Sequence, residues 1–105
     1  MGIGSALSEA MVVEEGEVKN SDFLDYKVPS SLDVPSGENV HSMMAPAPHH
    51  EGPYGAKGFS EGALVTVAPA IGNAIFNATG VRIHDLPITK EKVAGMLRTL
   101  AKNPT

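Results

Sequence analysis

The stretch from Gly52 to Gly62, GPYGAKGFSEG, is followed at once by an apolar run of helical period, and this pairing constrains the chain more than any other feature. Glycines let a main chain adopt left-handed dihedrals and come close to a ligand. A helix start then fixes the direction in which neighbouring groups point. Leu64, Val67, Ala68, Ile71, Ile75 and Ala78 recur at i, i+3, i+4 and i+7 steps, and Gly80 is a suitable stop, so the main helix is predicted here. Pro69 lies inside the pattern and removes one hydrogen bond. Either the helix kinks there, or a short turn precedes a helix that begins near Pro69.

On the N-terminal side, Ile3, Leu7 and Met11, with Ala6 and Ala10 beside them, predict a short helix. It starts without room for a cap, as expected of a segment taken from a longer polypeptide. Met11–Val13 and Val18 are β-favouring residues around Glu14-Glu15-Gly16-Glu17, which predicts a strand or a loose hairpin. From Asn20 to Gly37 the prolines, serines and aspartates predict an ordered loop, pinned by Phe23, Leu24, Tyr26, Val28 and Leu32. Glu38–Met44 reads as a second strand and Ala45–Pro48 as extended backbone, with Met and Tyr neighbours that pack.

Beyond the main helix, Val81–Ile83 is predicted as a brief strand and Asp85–Pro87 as a turn. Thr89 then caps a last helix whose apolar face is Val93, Met96, Leu97 and Leu100, and Asn103–Thr105 ends as a frayed tail. The expectation is an α+β fold: a small mixed domain over residues 1–105, with short strands and about three helices.

Composition narrows the function. A chain of 105 residues suffices for one small core. Without cysteine it forms no disulfide, holds no iron–sulfur cluster and builds no thiolate zinc site, so any redox centre comes from elsewhere. Net charge is -4 and the eight Lys and Arg are scattered, which argues against nucleic acid as a partner. No apolar run approaches the roughly 20 residues of a bilayer span, so no membrane association is expected. The N-terminus lacks a basic leader, and a cytoplasmic location is the expectation. Aromatic content of 5% and 11 glycines imply a lean core that partner surfaces complete.

Three local motifs bear on chemistry. GAKG before a helix invites comparison with phosphate loops, but it has neither the G-x-x-x-x-G-K-[ST] spacing nor G-x-G-x-x-G. His49 and His50 are adjacent, and side chains one residue apart usually diverge, so solvated loop histidines are expected and no metal site. Ser60 and Glu61 are readable as an N-cap and a first-turn acid. Yet Glu61 follows a glycine-lined loop and precedes Gly62, which leaves room for bulky chemistry to approach the carboxylate.

At these residues the chain resembles the molybdenum hydroxylases, the family of xanthine dehydrogenase, aldehyde oxidoreductase and aerobic carbon monoxide dehydrogenases. The resemblance is to the C-terminal part of the molybdopterin-binding large subunit. It runs in order through GIGSALSEAMVVEEGEVKN, FLDYKVPSSLDVP, GPYGAKGFSEG and APAIGNAIFNATGVRIHDLPITKEKV. The family's G-A-K-G-x-G-E motif falls on Gly55, Ala56, Lys57, Gly58, Phe59, Ser60 and Glu61, with Ser60 where glycine is commoner and Gly62 where many members carry proline.

The resemblance implies a fragment of a larger molybdopterin-binding domain in which Glu61 is the catalytic base and Tyr54, Gly55, Ala56, Lys57, Gly58 and Ser60 line the cofactor. The glutamate would take a proton from a water-derived ligand as its oxygen attacks an electrophilic carbon of a purine, aldehyde or other heterocycle, with hydride passing to the metal's sulfido group. It further implies a molybdopterin-type molybdenum cofactor held mostly by protein outside this chain, iron–sulfur clusters and FAD only on partner chains, and no metal ligand here. The implied partners are the remaining molybdopterin-binding subunit, an iron–sulfur subunit, a flavin subunit as a further candidate, and a small-molecule substrate. The isolated chain is expected to be inactive. Two other readings stay open on the residues alone: a non-catalytic α+β remnant or interaction module without cofactor, and a small-ligand binder built on the glycine loop.

Overall fold

In a computed structural model of the chain, residues 1–102 are described; the tail expected at Asn103–Thr105 lies outside them. The elements in order are α1 (Gly2–Leu7), β1 (Val13–Glu14), β2 (Glu17–Val18), 3-10 turns at Gly37–Asn39 and Pro53–Gly55, α2 (Ser60–Val65), α3 (Val67–Thr79) and α4 (Lys90–Lys102). Only Thr66 separates α2 from α3. The architecture is the small mixed α+β kind that the residue patterns predict.

Packing centres on α1 against α3. Both Gly2 and Gly4 lack a Cβ for a reason. One built on Gly2 would stand 2.7 Å from Val67 Cγ2, and one on Gly4 would stand 2.8 Å from Pro29 Cδ. The segment after α3 closes the layer, with the Ile88 N–H donating to the Ala6 carbonyl at 2.6 Å. Ala6, Val81 and Ile88 are the buried apolar residues among those described.

The predicted N-terminal helix is shorter than its apolar spacing suggests, ending at Leu7 and leaving Met11 exposed. Asn20 is the cause. Its side chain accepts from the Val12 N–H at 2.8 Å and donates to the Ala10 carbonyl at 2.6 Å, which occupies backbone groups that a longer helix would need. The same clamp sets up the predicted hairpin, in which Val13 pairs with Val18 and Glu14 with Glu17. Glu15 and Gly16 turn it with φ of 52° and 83°, the left-handed pair that matches strand twist.

Several expectations fail here. Residues 20–37 form an ordered loop, but polar bonds pin it and most of its apolar side chains do not. Phe23, Leu24 and Leu32 are 84%, 77% and 94% exposed. Instead Ser8 Oγ donates to the Lys27 carbonyl at 2.8 Å, the Tyr26 hydroxyl donates to Glu9 at 2.9 Å, and Asp33 accepts from Ser30 N–H and Oγ at 2.8 and 2.6 Å. The bond to Glu9 is the chief reason that the Tyr26 phenol is held above its usual range. Ser30 similarly holds the Asp33 carboxyl below its own.

Glu38–Met44 is not a strand: a 3-10 turn takes its start, and the rest has no ladder partner among the described residues. Met43, Met44 and Tyr54 stand in solvent, so the proline-rich approach does not pack as expected. Val81–Ile83 is likewise no strand. Its backbone is tied locally, the Val81 N–H donating to Thr79 Oγ1 at 3.1 Å, while the Arg82 guanidinium stacks 3.9 Å from the Phe76 ring centre.

The outcome for Pro69 is close to the second alternative, with α3 starting two residues before it. The break falls at Thr66, and Pro69 occupies the third position of α3, where its N–H would have lacked an intrahelical partner anyway. Gly80 ends α3 at φ 72°, as expected. Residues 53–79 do contain a stretch long and apolar enough by composition for a membrane span, contrary to expectation. The backbone there is not one helix: a 3-10 turn, a non-helical link, α2 and the break at Thr66 precede α3, which has only 13 residues.

Thr89 caps α4, its Oγ1 accepting from the Lys92 N–H at 3.3 Å. The backbone N–H of Glu91, and after it the Thr89 hydroxyl, hold the Glu91 carboxyl below its usual range. A lowered carboxyl pKa stabilises the fold above the ordinary range, and that contribution is lost as pH falls through the lowered value. Thr89→Ala should weaken the helix by about 1 kcal/mol, and NMR titration should find the Glu91 midpoint moved upward. Gly2→Ala should lower the urea midpoint by the equivalent of about 1–3 kcal/mol, because the rigid Val67 side chain must shift.

Candidate functional site

The glycine-rich stretch holds its shape through its own backbone. The His49 N–H donates to the Gly55 carbonyl at 3.1 Å, Gly52 N–H to His49 at 3.2 Å, Gly55 N–H to Gly52 at 2.8 Å, and Ala56 N–H to Pro53 at 3.0 Å. Tyr54 and Gly55, at φ of 54° and 81°, turn the chain through two left-handed residues. The turn explains the glycines. A Cβ on Gly52 would collide with the Ala56 carbonyl, and one on Gly55 would stand 2.7 Å from Pro48 Cβ.

Ala56 is extended, and irregular backbone at 57–59 leads into α2. The backbone N–H groups of Lys57, Gly58 and Phe59 have no hydrogen-bond partner among the described residues. Glu61 sits in the first turn of α2, exposed, with Oε2 3.9 Å from where a Cβ on Gly58 would be. Nothing lies within 4 Å of a Cβ built on Gly62. The carboxylate therefore curls back towards Gly58, and the helix surface at Gly62 is open.

Ser60 does not cap this helix. Phe59 is the N-cap and already has helical dihedrals, φ -106° and ψ -48°, so Ser60 falls inside the first turn and no side chain caps α2. Lys57 is exposed and forms no ion pair among the described residues. The adjacent histidines do not diverge: the His49 and His50 rings stack 4.9 Å apart at 21°, and His49 Nδ1 accepts from the Glu51 N–H at 3.2 Å. Both remain exposed, and no group of three or more His, Cys, Asp or Glu side chains suited to a metal is found among the described residues.

Tyr54, Gly55, Ala56, Lys57, Gly58, Ser60 and Glu61 are thus contiguous along one surface ridge. They do not enclose a cavity. A groove of about 860 Å³ lies elsewhere, between α1, α3 and α4. What the motif alone did not reveal is the closing bond from His49 to Gly55 and the row of free amides at 57–59, since backbone groups carry no residue-type signal.

Replacing Gly52 with alanine should open the turn. Hydrogen exchange at Gly55 and Ala56 should quicken by about tenfold for each ~1.4 kcal/mol of local stability lost, with α3 amides unaffected.

No family model matches the chain. It is 38% identical, over 92% of its length, to the aldehyde oxidoreductase molybdenum-binding subunit PaoC of Escherichia coli (strain K12), of which the match takes in 13%. It is 40% identical, over 89%, to the putative xanthine dehydrogenase molybdenum-binding subunit XdhA of the same strain, of which it takes in 12%. The 6-hydroxypseudooxynicotine dehydrogenase complex subunit gamma of Paenarthrobacter nicotinovorans is 35% identical over 96% of the chain and is matched across 13% of its own length. Over nearly its whole length the chain is therefore homologous to a short portion of the molybdenum-binding subunits of aldehyde oxidoreductase and xanthine dehydrogenase-type molybdenum hydroxylases.

Proposed function

We propose that residues 1–105 are a single C-terminal segment of a molybdopterin-binding domain and contribute one wall of its molybdenum site, with Glu61 as the general base in hydroxylation of a purine, aldehyde or other heterocycle. The observation that carries this reading is the exposed Glu61 carboxylate beside unpaired backbone donors, in a chain homologous to molybdenum-binding subunits.

The residues fit such a cofactor as a wall and not as a cage. Free N–H groups at Lys57, Gly58 and Phe59 are donors for the acceptor atoms of a bound group, and the bare Cα positions of Gly58 and Gly62 leave the approach open. With no ligand set among the described residues, the metal would be held by the cofactor and by protein beyond this chain. When bound, the cofactor supplies the two-electron redox chemistry of hydroxylation. Glu61 accepts a proton at a carboxylate oxygen from a water-derived nucleophile, the α2 first turn orients that carboxylate, and the Gly52–Ala56 turn fixes the distance of the wall. Tyr54, Gly55 and Ala56 line the same ridge.

The partners in this reading are the remaining molybdopterin-binding protein, an iron–sulfur subunit and a flavin subunit; the name of one relative, a complex subunit gamma, is in keeping with an assembly. In the assembled enzyme, Glu61→Gln should reduce kcat by about 10²- to 10⁴-fold, the ordinary contribution of a positioned general base, with molybdenum content unchanged. Full activity in that variant would remove Glu61 as the base.

A further inference from the structure

α4 is the most amphipathic unpartnered element of the chain. α1 packs on α3, α2 on α3, and β1 on β2, while α4 has no comparable partner. Its apolar face is correspondingly only part-covered: Met96, Leu97 and Leu100 are 41%, 38% and 47% exposed. The groove of about 860 Å³ runs beneath this face, floored by Leu7, Ile75, Ile88 and Val93. No residue of the Gly52–Gly62 ridge lines it.

We propose that this groove and the apolar face of α4 are the seat of the remainder of a molybdenum-binding subunit, a second attachment separate from the Glu61 ridge. The proposal rests on the reading given under Proposed function. Two observations name the occupant. The chain exposes 8834 Å², whereas a folded monomer of 10.9 kDa exposes about 5,600 Å². The excess, about 3,200 Å², is several times the ~800 Å² that each partner contributes to a standard interface, which suits a large enveloping body better than a second copy docked through one helix face.

The second observation is length. The match to the Paenarthrobacter relative covers 96% of this chain, so only a few residues fall outside it and Val93–Leu97 lies within. The matched portion is 13% of that relative, whose other residues are available to cover the face.

The absence of native cysteine in this chain makes thiol labelling a clean test. In the assembled molybdenum-containing protein, Leu97→Cys and Arg98→Cys are labelled with a maleimide, and the modified peptide is quantified by mass spectrometry. Arg98 is exposed and points well away from the apolar face by helical spacing. The Leu97 variant should label at least about tenfold more slowly than the Arg98 variant, a difference of ~1.4 kcal/mol in opening. Equal rates overturn the proposal. A disulfide joining two Leu97→Cys copies overturns it too, by assigning the face to a second copy of this chain. Should Leu97→Cys fail to assemble, Leu100→Cys reports on the same face with the same expected protection. Glu61→Gln separates this seat from the base: loss of turnover with free labelling at position 97 would sink the seat alone, and retained turnover with protection at 97 would sink only the base.

Discussion

The contact between α1 and α3 is what the rest of the structure depends on, and it is close because Gly2 presents no side chain to Val67. With Gly2 bare, Val67 reaches the backbone of α1. With Gly4 bare, Pro29 and the Glu9 carboxylate close over its other side. That approach brings the Ala6 carbonyl to the Ile88 N–H, which draws the segment after α3 back across the layer and buries Val81 and Ile88. A larger residue at Gly2 would press on Val67 of α3, and one at Gly4 would push away Glu9 and Pro29 of the loop that follows α1. The core is small for the same reason that it is tight: glycine and alanine allow close backbones but contribute little apolar area.

So slight a core cannot hold a chain of this length in a compact form. Its radius of gyration is 17.9 Å, against about 13 Å for a compact domain of this size. The extension comes from the hairpin, the 20–37 loop and the proline-rich approach, whose order is maintained by local polar bonds such as the Asn20 clamp and the Ser30–Asp33 pair. Exposed bonds of that kind specify a path more than they stabilise it, because water competes for every donor and acceptor. The apolar side chains along the path, Phe23, Leu32, Met43 and Met44 among them, are those a larger body would cover.

This division explains what was legible in the sequence. α3, α4 and the hairpin follow from local rules: a 3.6-residue apolar period ended by a left-handed Gly80, a threonine cap, and a Glu-Gly turn between valines. The strands predicted at 38–44 and 81–83 rest on short local stretches, and a strand needs a neighbour with which to exchange hydrogen bonds. The described residues offer none. The anchoring role predicted for Phe23, Leu24 and Leu32 failed on the same ground, since apolar residues mark a surface to be buried without saying whether this chain supplies the other half. At the candidate site, the resemblance is what singles out Glu61 and its loop for test, while the capping reading of Ser60 fails locally: helical dihedrals at Phe59 move the start of α2 one residue upstream.

Covering the chain would serve the site as well as the fold. The Gly52–Ala56 turn is set by its own hydrogen bonds and needs no core to keep its shape, so the proposed wall is preformed. Its electrostatics are not. At 4 Å a unit charge pair interacts by about 1 kcal/mol in bulk water and by about 4 kcal/mol at the effective dielectric near a protein surface, so an exposed carboxylate and exposed amides do little until water is removed. A body that seats on α4 and closes over the ridge excludes that water, and strengthens every donor at 57–59 at the same moment. On the proposed reading, stability and chemistry share one requirement: the surface that supplies the missing apolar neighbours would also be the surface that dries the Glu61 carboxylate.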